Sequence, residues 1–140
     1  MSVRSRVPAS RAWGEAVGYS RAIRVGNVIE VSGTSATRPD GSVVAPRNTY
    51  AQAAHILREI STALSELGAS LTDVIRTRVF LTDIAEWEGA ARAHREAFAD
   101  TMPVSSFVAV SSLMLPDLVV EIEVTAIVTE EGSDDKARQL

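Results

Sequence analysis

Alternation of apolar and polar residues is clearest near the end of the chain, in residues 118–128. There the even-numbered residues from 120 to 128 are all apolar, while Glu121, Glu123 and Thr125 fall on the opposite face of a strand. A second apolar run covers residues 104–110, and the break between the two runs contains Pro116. The pattern predicts a pair of neighbouring strands. The carboxylate face of the second strand must meet water, a partner subunit or a ligand.

Apolar residues at three- and four-residue spacing predict two helices. The first covers residues 49–67, where Thr49 and Gln52 have the spacing of a capping box and Gly68 supplies the stop. The second covers residues 83–99 and also opens on a capping-box pair. These helices separate the strands at the two ends of the chain.

Three further strands complete the predicted order. Residues 17–25 and 28–32 are joined by a two-residue glycine turn, and residues 74–81 form a strand between the helices. The order ββ-α-β-α-ββ predicts an α/β (α+β) fold, with a single sheet and two helices packed on one face. The other face would carry Phe107, Val119 and further apolar groups, which predicts self-association.

The ends of the chain show no such periodicity. With 140 residues and 15.0 kDa, the chain fits one domain, which we place at residues 13–129. Residues 1–12 are rich in arginine and are predicted to be a mobile N-terminal arm. Residues 130–140 are polar and are predicted to be a disordered tail.

Composition narrows the function mainly by exclusion. The absence of cysteine excludes disulfides and thiolate chemistry, and His55 and His94 form no two-histidine metal motif. A net charge of −4 gives no reason to expect a nucleic-acid partner. No apolar run is long enough to span a bilayer and no secretory signal is visible, so we expect no membrane partner and a cytoplasmic protein.

Several short motifs occur in a fixed order along the chain: VGNVIEVSG at residues 25–33, LGASLTDV at 67–74, VFLTD at 79–83, EAF at 96–98, Pro103, and VEIE at 120–123. Together they resemble the Rid/YjgF family, the RidA-like endoribonuclease L-PSP proteins. The resemblance implies a chorismate-mutase-like fold and a homotrimer with ligand sites at the three clefts between subunits. It also implies hydrolysis of enamines and imines, such as 2-aminoacrylate, to 2-oxo acids and ammonia, without a metal or organic cofactor.

Site residues follow from the same resemblance. Glu121 matches the glutamate that orients or activates water in the deaminases, although an exposed glutamate paired with an arginine is the alternative. Tyr19 matches the family's cleft tyrosine, although it can instead be an aromatic that packs at the subunit contact. Ser32 and Gly33 match the Ser-Gly of the second strand, and Thr34 stands where the deaminases commonly carry glutamine.

Ser105 is the main departure from the deaminase pattern. The deaminases have an arginine there that clamps the substrate carboxylate, and a hydroxyl supplies neither its charge nor its paired donors. Ser105 and Ser106, with Phe107 beside them, can contact a neutral or small polar ligand. Arg78 and Arg92 are candidate replacements for the cationic anchor, although interface salt bridges are the alternative for each. Arg92 occupies a position where the deaminases carry asparagine.

The sequence therefore predicts a trimer that binds a small metabolite in intersubunit clefts. As an enzyme, it would be a cofactor-free, deaminase-like hydrolase of an enamine or imine C–N bond, with Glu121 handling the water. The alternative is a non-catalytic small-molecule-binding or regulatory protein, which the missing arginine favours. A ribonuclease or translation inhibitor is a third choice, disfavoured by the acidic charge balance. The identity of the ligand stays open.

Overall fold

One six-stranded sheet organises the protein, whose computed structural model describes residues 3–10 and 13–129. In chain order the strands are β1 (Arg4–Pro8), β2 (Ser20–Val25), β3 (Val28–Ser35), β4 (Val74–Leu81), β5 (Val104–Ala109) and β6 (Val120–Ile127). Their spatial order is β1-β2-β3-β6-β4-β5, and every neighbouring pair is antiparallel except β4 and β5, which are parallel. The helices are α1 (Trp13–Val17), α2 (Thr49–Glu66) and α3 (Trp87–Phe98).

The core lies between the sheet and helices α2 and α3, which pack against each other on one face. On β6 the alternation seen in the sequence is confirmed, because Val120, Ile122 and Val124 are each no more than 1% exposed, while Glu121 and Glu123 lie on the other face. The predicted fold class is thus confirmed. Among the described residues, no helix has the length and apolar character needed to cross a membrane.

The start of α2 differs from the prediction. Asn48, not Thr49, caps the helix, since its side chain accepts a hydrogen bond from the backbone N–H of Ala51 at 2.9 Å. Gln52, the predicted partner in a capping box, is completely buried instead. The predicted stop is confirmed, because Gly68 follows the C-cap with φ of +80°, a conformation that glycine adopts without strain.

The predicted pairing of the last two strands is wrong, since β4 lies between β5 and β6. Parallel strands need a long crossover, and α3 supplies it between β4 and β5. The connection at residues 110–119 then carries the chain past β4 to its other side. Alternation in a strand shows which face is buried, but it carries no information about which strand is the neighbour.

The predicted mobile arm at residues 1–12 is also wrong for residues 4–8. These residues form β1, which pairs antiparallel with β2 from Arg4 opposite Val25 to Val7 opposite Ala22. Only Val7 in this strand is buried, so the sequence of β1 shows no alternation of apolar and polar residues that would predict a strand. Backbone groups on the edge of β2 can pair with almost any extended segment. The predicted disordered tail at 130–140 lies outside the described residues.

The face of the sheet away from the helices carries both charge and exposed apolar groups, and we call it the open face. Its carboxylates are Glu121 and Glu123 on β6, opposite Phe80 and Arg78 of β4, and Glu30 on β3, which accepts a hydrogen bond from Thr125. Exposed apolar residues on this face include Val25, Val28, Val104, Val108 and Ile127. Phe107 is not among them, contrary to the prediction, because it lies opposite the buried Val79 and its ring contacts His94 on the helix side.

Candidate functional site

A β-bulge in β3 shapes the surroundings of Glu121. The register with β6 slips by one residue between Val31 and Thr34, so Ser32 and Gly33 occupy the space of a single partner residue. The Glu121 side chain lies directly over Gly33. A Cβ added to Gly33 would collide with Glu121 Oε2 and would lie 3.0 Å from Glu121 Cδ. A side chain at this position would displace the carboxylate from its place over the bulge.

Glu121 differs from its neighbour Glu123 in having no partner within the described part of the chain. The Glu123 carboxylate pairs with Arg78, whose Nη1 lies 3.3 Å from Oε1. Glu121 is half-buried, and none of residues 3–10 and 13–129 gives its carboxylate a hydrogen bond or an ion pair. Burial raises the pKa of the Glu121 carboxyl, and the negative charge of Glu123 raises that pKa further. The alternative of a glutamate paired with arginine therefore fits Glu123 and not Glu121.

Tyr19, Ser32, Gly33 and Thr34, all predicted site residues, come together around this bulge. They line one small indentation of about 20 Å³. Within it, Ser32 Oγ donates to the backbone carbonyl of Arg21 at 3.0 Å, and Thr34 Oγ1 donates to the carbonyl of Ser32 at 3.0 Å. Because both hydroxyl protons are used by the backbone, these side chains fix the bulge, while Tyr19 is half-buried at its rim.

Ser105 lies apart from this group within one chain. It is on β5, opposite Thr77, and it shares the helix side of the sheet with that residue. Glu121 is two strands away, opposite Phe80 on the open face. Ser106, the next residue of β5, is exposed on the open face. A single protomer thus does not bring the Ser105 hydroxyl and the Glu121 carboxylate to one surface.

Neither candidate arginine is available as a free anchor. The Arg78 guanidinium is held by Glu123, as described above. The Arg92 guanidinium stacks 4.0 Å from the centroid of the Tyr50 ring, and its Nε lies 3.4 Å from Glu96 Oε2. The Tyr50 hydroxyl donates to the other oxygen of Glu96 at 2.6 Å, which lowers the pKa of that carboxyl. Arg92 therefore belongs to a surface cluster on α2 and α3.

Two residues that the sequence did not identify as site residues are linked to Ser105, Thr77 directly and His94 through Thr77. Thr77 Oγ1 donates to Ser105 Oγ at 2.6 Å and shares a second hydrogen bond with His94 Nε2 at 2.8 Å. The His94 ring packs on Phe98 and Phe107, with centroids 4.7 and 5.8 Å away, and burial lowers the pKa of His94. The sequence signal that could have identified Thr77 is a polar residue at an inward-facing position of β4, where it is completely buried.

Comparisons with known proteins agree with this fold. The family model of Endoribonuclease L-PSP matches residues 10–128. The 3-aminoacrylate deaminase RutC of Acinetobacter baylyi is 33% identical over 104 residues, which cover 74% of this chain and 82% of that protein. The crystal structure of Rv2704 from Mycobacterium tuberculosis, a member of the YjgF/YER057c/UK114 family, is 40% identical. It superposes with a TM-score of 0.82 and covers 90% of this chain and 100% of that one.

A further crystal structure, that of RidA from the Antarctic bacterium Psychrobacter sp. PAMC 21119, is 28% identical with a TM-score of 0.75. It covers 88% of this chain and 94% of that one. The family model spans most of the chain, and the similarity of these structures extends over nearly the whole chain. The chain therefore belongs to the endoribonuclease L-PSP family, the Rid/YjgF proteins.

Proposed function

We propose that this protein is a homotrimer that binds a small metabolite in clefts between subunits and hydrolyses the C–N bond of an enamine or imine there. The observation that carries the proposal is the Glu121 carboxylate, half-buried over Gly33 and without a partner among the described residues. A carboxylate kept from ion pairs and with a raised pKa is suited to exchanging protons. The names of the RutC and RidA relatives, one of them a deaminase, support the same reaction class.

The distribution of site residues supports a cleft between subunits. Glu121 and Gly33 lie at the β3–β6 bulge, whereas Ser105 lies on the edge strand β5 and faces the other side of the sheet. A ligand that contacts both groups must therefore touch two chains. The open face provides the means of association, since Val25, Val28, Val108 and Ile127 are between 37% and 44% exposed there.

Imine hydrolysis in this site needs one carboxylate, that of Glu121, to accept and donate protons in turn. In the first step, ionised Glu121 takes a proton from water as the oxygen bonds to the imine carbon, and the proton passes to nitrogen to give a carbinolamine. In the second step, Glu121 takes the hydroxyl proton and passes it to the same nitrogen. The C–N bond then breaks, and ammonia and a carbonyl product leave. Glu121 ends ionised, so no further reactant is required.

The second candidate is a non-catalytic binding protein, and Ser105 is the observation that favours it. The hydroxyl is already held by Thr77, and no arginine in residues 3–10 or 13–129 contacts it. This function predicts saturable binding of a small molecule without release of ammonia. The two candidates share the fold and the assembly, so turnover distinguishes them.

Association is tested by the mass of the protein in solution. Sedimentation equilibrium is expected to give the mass of three 15.0 kDa chains. Val108→Asp places a charge on an exposed apolar position of the open face and is expected to lower the mass to that of one chain, because burying an unpaired charge is costly. Val108→Ile keeps the apolar surface and should remain trimeric. A wild-type protein that sediments as a monomer would contradict the assembly.

Turnover is tested by ammonia release from imines generated in situ, with a flavin amine oxidase supplying uncharged imines and an amino-acid oxidase supplying 2-imino acids. The purified full-length protein is expected to raise the rate of ammonia release above that of the uncatalysed hydrolysis, with imines of several side chains compared in parallel. The control is the same mixture with heat-denatured protein. Rates equal to the control for every imine would exclude the hydrolase and favour the binding protein.

A further inference from the structure

We propose that Ser105, positioned by Thr77 and His94, recognises an uncharged carbonyl group, so that the cleft selects amides or other neutral carbonyl compounds over carboxylates. The proposal rests on the intersubunit cleft of the proposed function and specifies its ligand. It depends on three side chains from three elements of the chain, β4, α3 and β5, joined by two short hydrogen bonds.

The direction of the hydrogen bonds determines what Ser105 offers to a ligand. Thr77 has one hydroxyl proton and donates it to Ser105 Oγ, so Thr77 must accept from His94, which then carries its proton on Nε2. Ser105 accepts within the chain, and its own proton is not used by any described residue. The exposed Ser105 therefore offers a hydroxyl proton to a ligand, which matches a carbonyl oxygen.

The rest of the chain holds this arrangement rigidly. Thr77 is completely buried, and the His94 ring is packed against Phe98 and Phe107, which limits rotation of the imidazole. A donor fixed in advance loses less entropy when a ligand binds than a freely rotating hydroxyl does. Thr77 and His94 are thus positioning residues that act through Ser105.

Charge in the same cleft disfavours an anion. A carboxylate ligand would lose water and gain only a neutral donor from Ser105, without the two parallel bonds of a guanidinium. Glu121 adds negative charge on the sheet, and Arg78, which could offset that charge, is already paired with Glu123. An uncharged carbonyl avoids this repulsion and still accepts the hydrogen bond.

Pyruvamide and pyruvate form a matched pair of probes, since they differ only in an amide against a carboxylate. Binding is measured by titration calorimetry on the full-length protein, which does not require turnover. The wild type is expected to bind pyruvamide at least about tenfold more tightly than pyruvate, the effect of one good hydrogen bond. Ser105→Ala should remove most of that preference, and Ser105→Arg should reverse it. Equal affinities, a preference for pyruvate, or no binding of either probe would overturn the proposal.

Positioning by Thr77 is tested with two substitutions of this residue. Thr77→Val keeps the shape and removes the hydroxyl, so it should lower pyruvamide affinity several-fold, whereas Thr77→Ser should retain it. Nitrogen NMR of His94 should show the proton on Nε2 in the wild type and a changed ring environment in Thr77→Val. Thr62→Val, on the exposed surface of α2, is the matched control. An equal loss of pyruvamide affinity in the Val and Ser variants of Thr77 would overturn the positioning role.

The two proposals fail in different ways. A clear amide preference without ammonia release would leave the recognition by Ser105 standing and support the binding protein. Ammonia release together with a preference for pyruvate would support the hydrolase and overturn the recognition of neutral carbonyls.

Discussion

Replacing Glu121 with glutamine is expected to lower the rate of ammonia release by about 10²–10⁴-fold, the usual contribution of a positioned acid–base group. The amide keeps the size of the side chain over Gly33 but cannot take a proton from water. Glu30→Gln is the matched control, because it removes a carboxylate of the same face on β3, where Glu30 accepts from Thr125, and leaves Glu121 and Glu123 in place. A Glu121→Gln protein that keeps the wild-type rate would exclude this role of the carboxylate.

The same variant should be more stable than the wild type near neutral pH. Burial and Glu123 raise the pKa of Glu121 in the folded protein, so the folded state binds this proton more tightly than the unfolded state does. The tighter proton binding stabilises the folded protein at pH values below the unfolded-state pKa of Glu121. This stabilisation is lost as pH rises through the folded-state pKa of Glu121. Urea unfolding should therefore show a gain for Glu121→Gln at pH 7 that shrinks on acidification. A variant less stable than wild type at pH 7 would contradict the pKa shift.

Replacing Gln52 with alanine is expected to cost about 3–5 kcal/mol of unfolding free energy, since buried backbone groups lose their partners and a cavity is left. The Gln52 Nε2 donates to the carbonyls of Ala45 and Asp117 at 3.1 and 2.9 Å, and its Oε1 accepts from the N–H of Val119 at 3.0 Å. The side chain thus ties two loops to α2. Urea unfolding at one fixed protein concentration measures the loss, because assembly also affects stability.

Gln52→Glu refines this measurement. The carboxylate still accepts from Val119 but donates to neither carbonyl, so the variant protein should be less stable than the wild type at neutral pH. In acid, the protonated group can donate once, and part of the lost unfolding free energy should be recovered. A loss below about 1 kcal/mol for the alanine variant would mean that water replaces the amide in these contacts.

The sequence predicted those features that depend on one segment alone. The buried face of β6, the β2–β3 hairpin and the stop at Gly68 follow from side-chain period and from glycine backbone freedom, which act locally. Strand neighbours and β1 were missed because backbone pairing leaves little trace in side chains. Gln52 was assigned to a cap by its spacing, although its partners are up to 67 residues away.

The candidate site was predicted to a similar extent. Resemblance to the family identified Glu121, Tyr19 and the Ser32-Gly33 pair, and the structure brings these residues to one bulge. The contacts of Ser105 could not be predicted, since Thr77 and His94 are brought to it by a crossover and have no fixed spacing from it. That Glu121 has no partner among residues 3–10 and 13–129 is likewise a property of the folded chain.

The two edge strands of the sheet differ in their tendency to pair with other chains before the subunit has assembled. The outer strand β1 carries Arg4 and Arg6, whose charges repel a second copy and leave that edge harmless. The opposite edge, β5, has the uncharged sequence VSSFVA, with Val104 57% exposed. In an unassembled subunit, β5 can therefore pair non-specifically with strands of other chains. A substitution that slows assembly should appear first as precipitation, before any change in the folded subunit itself.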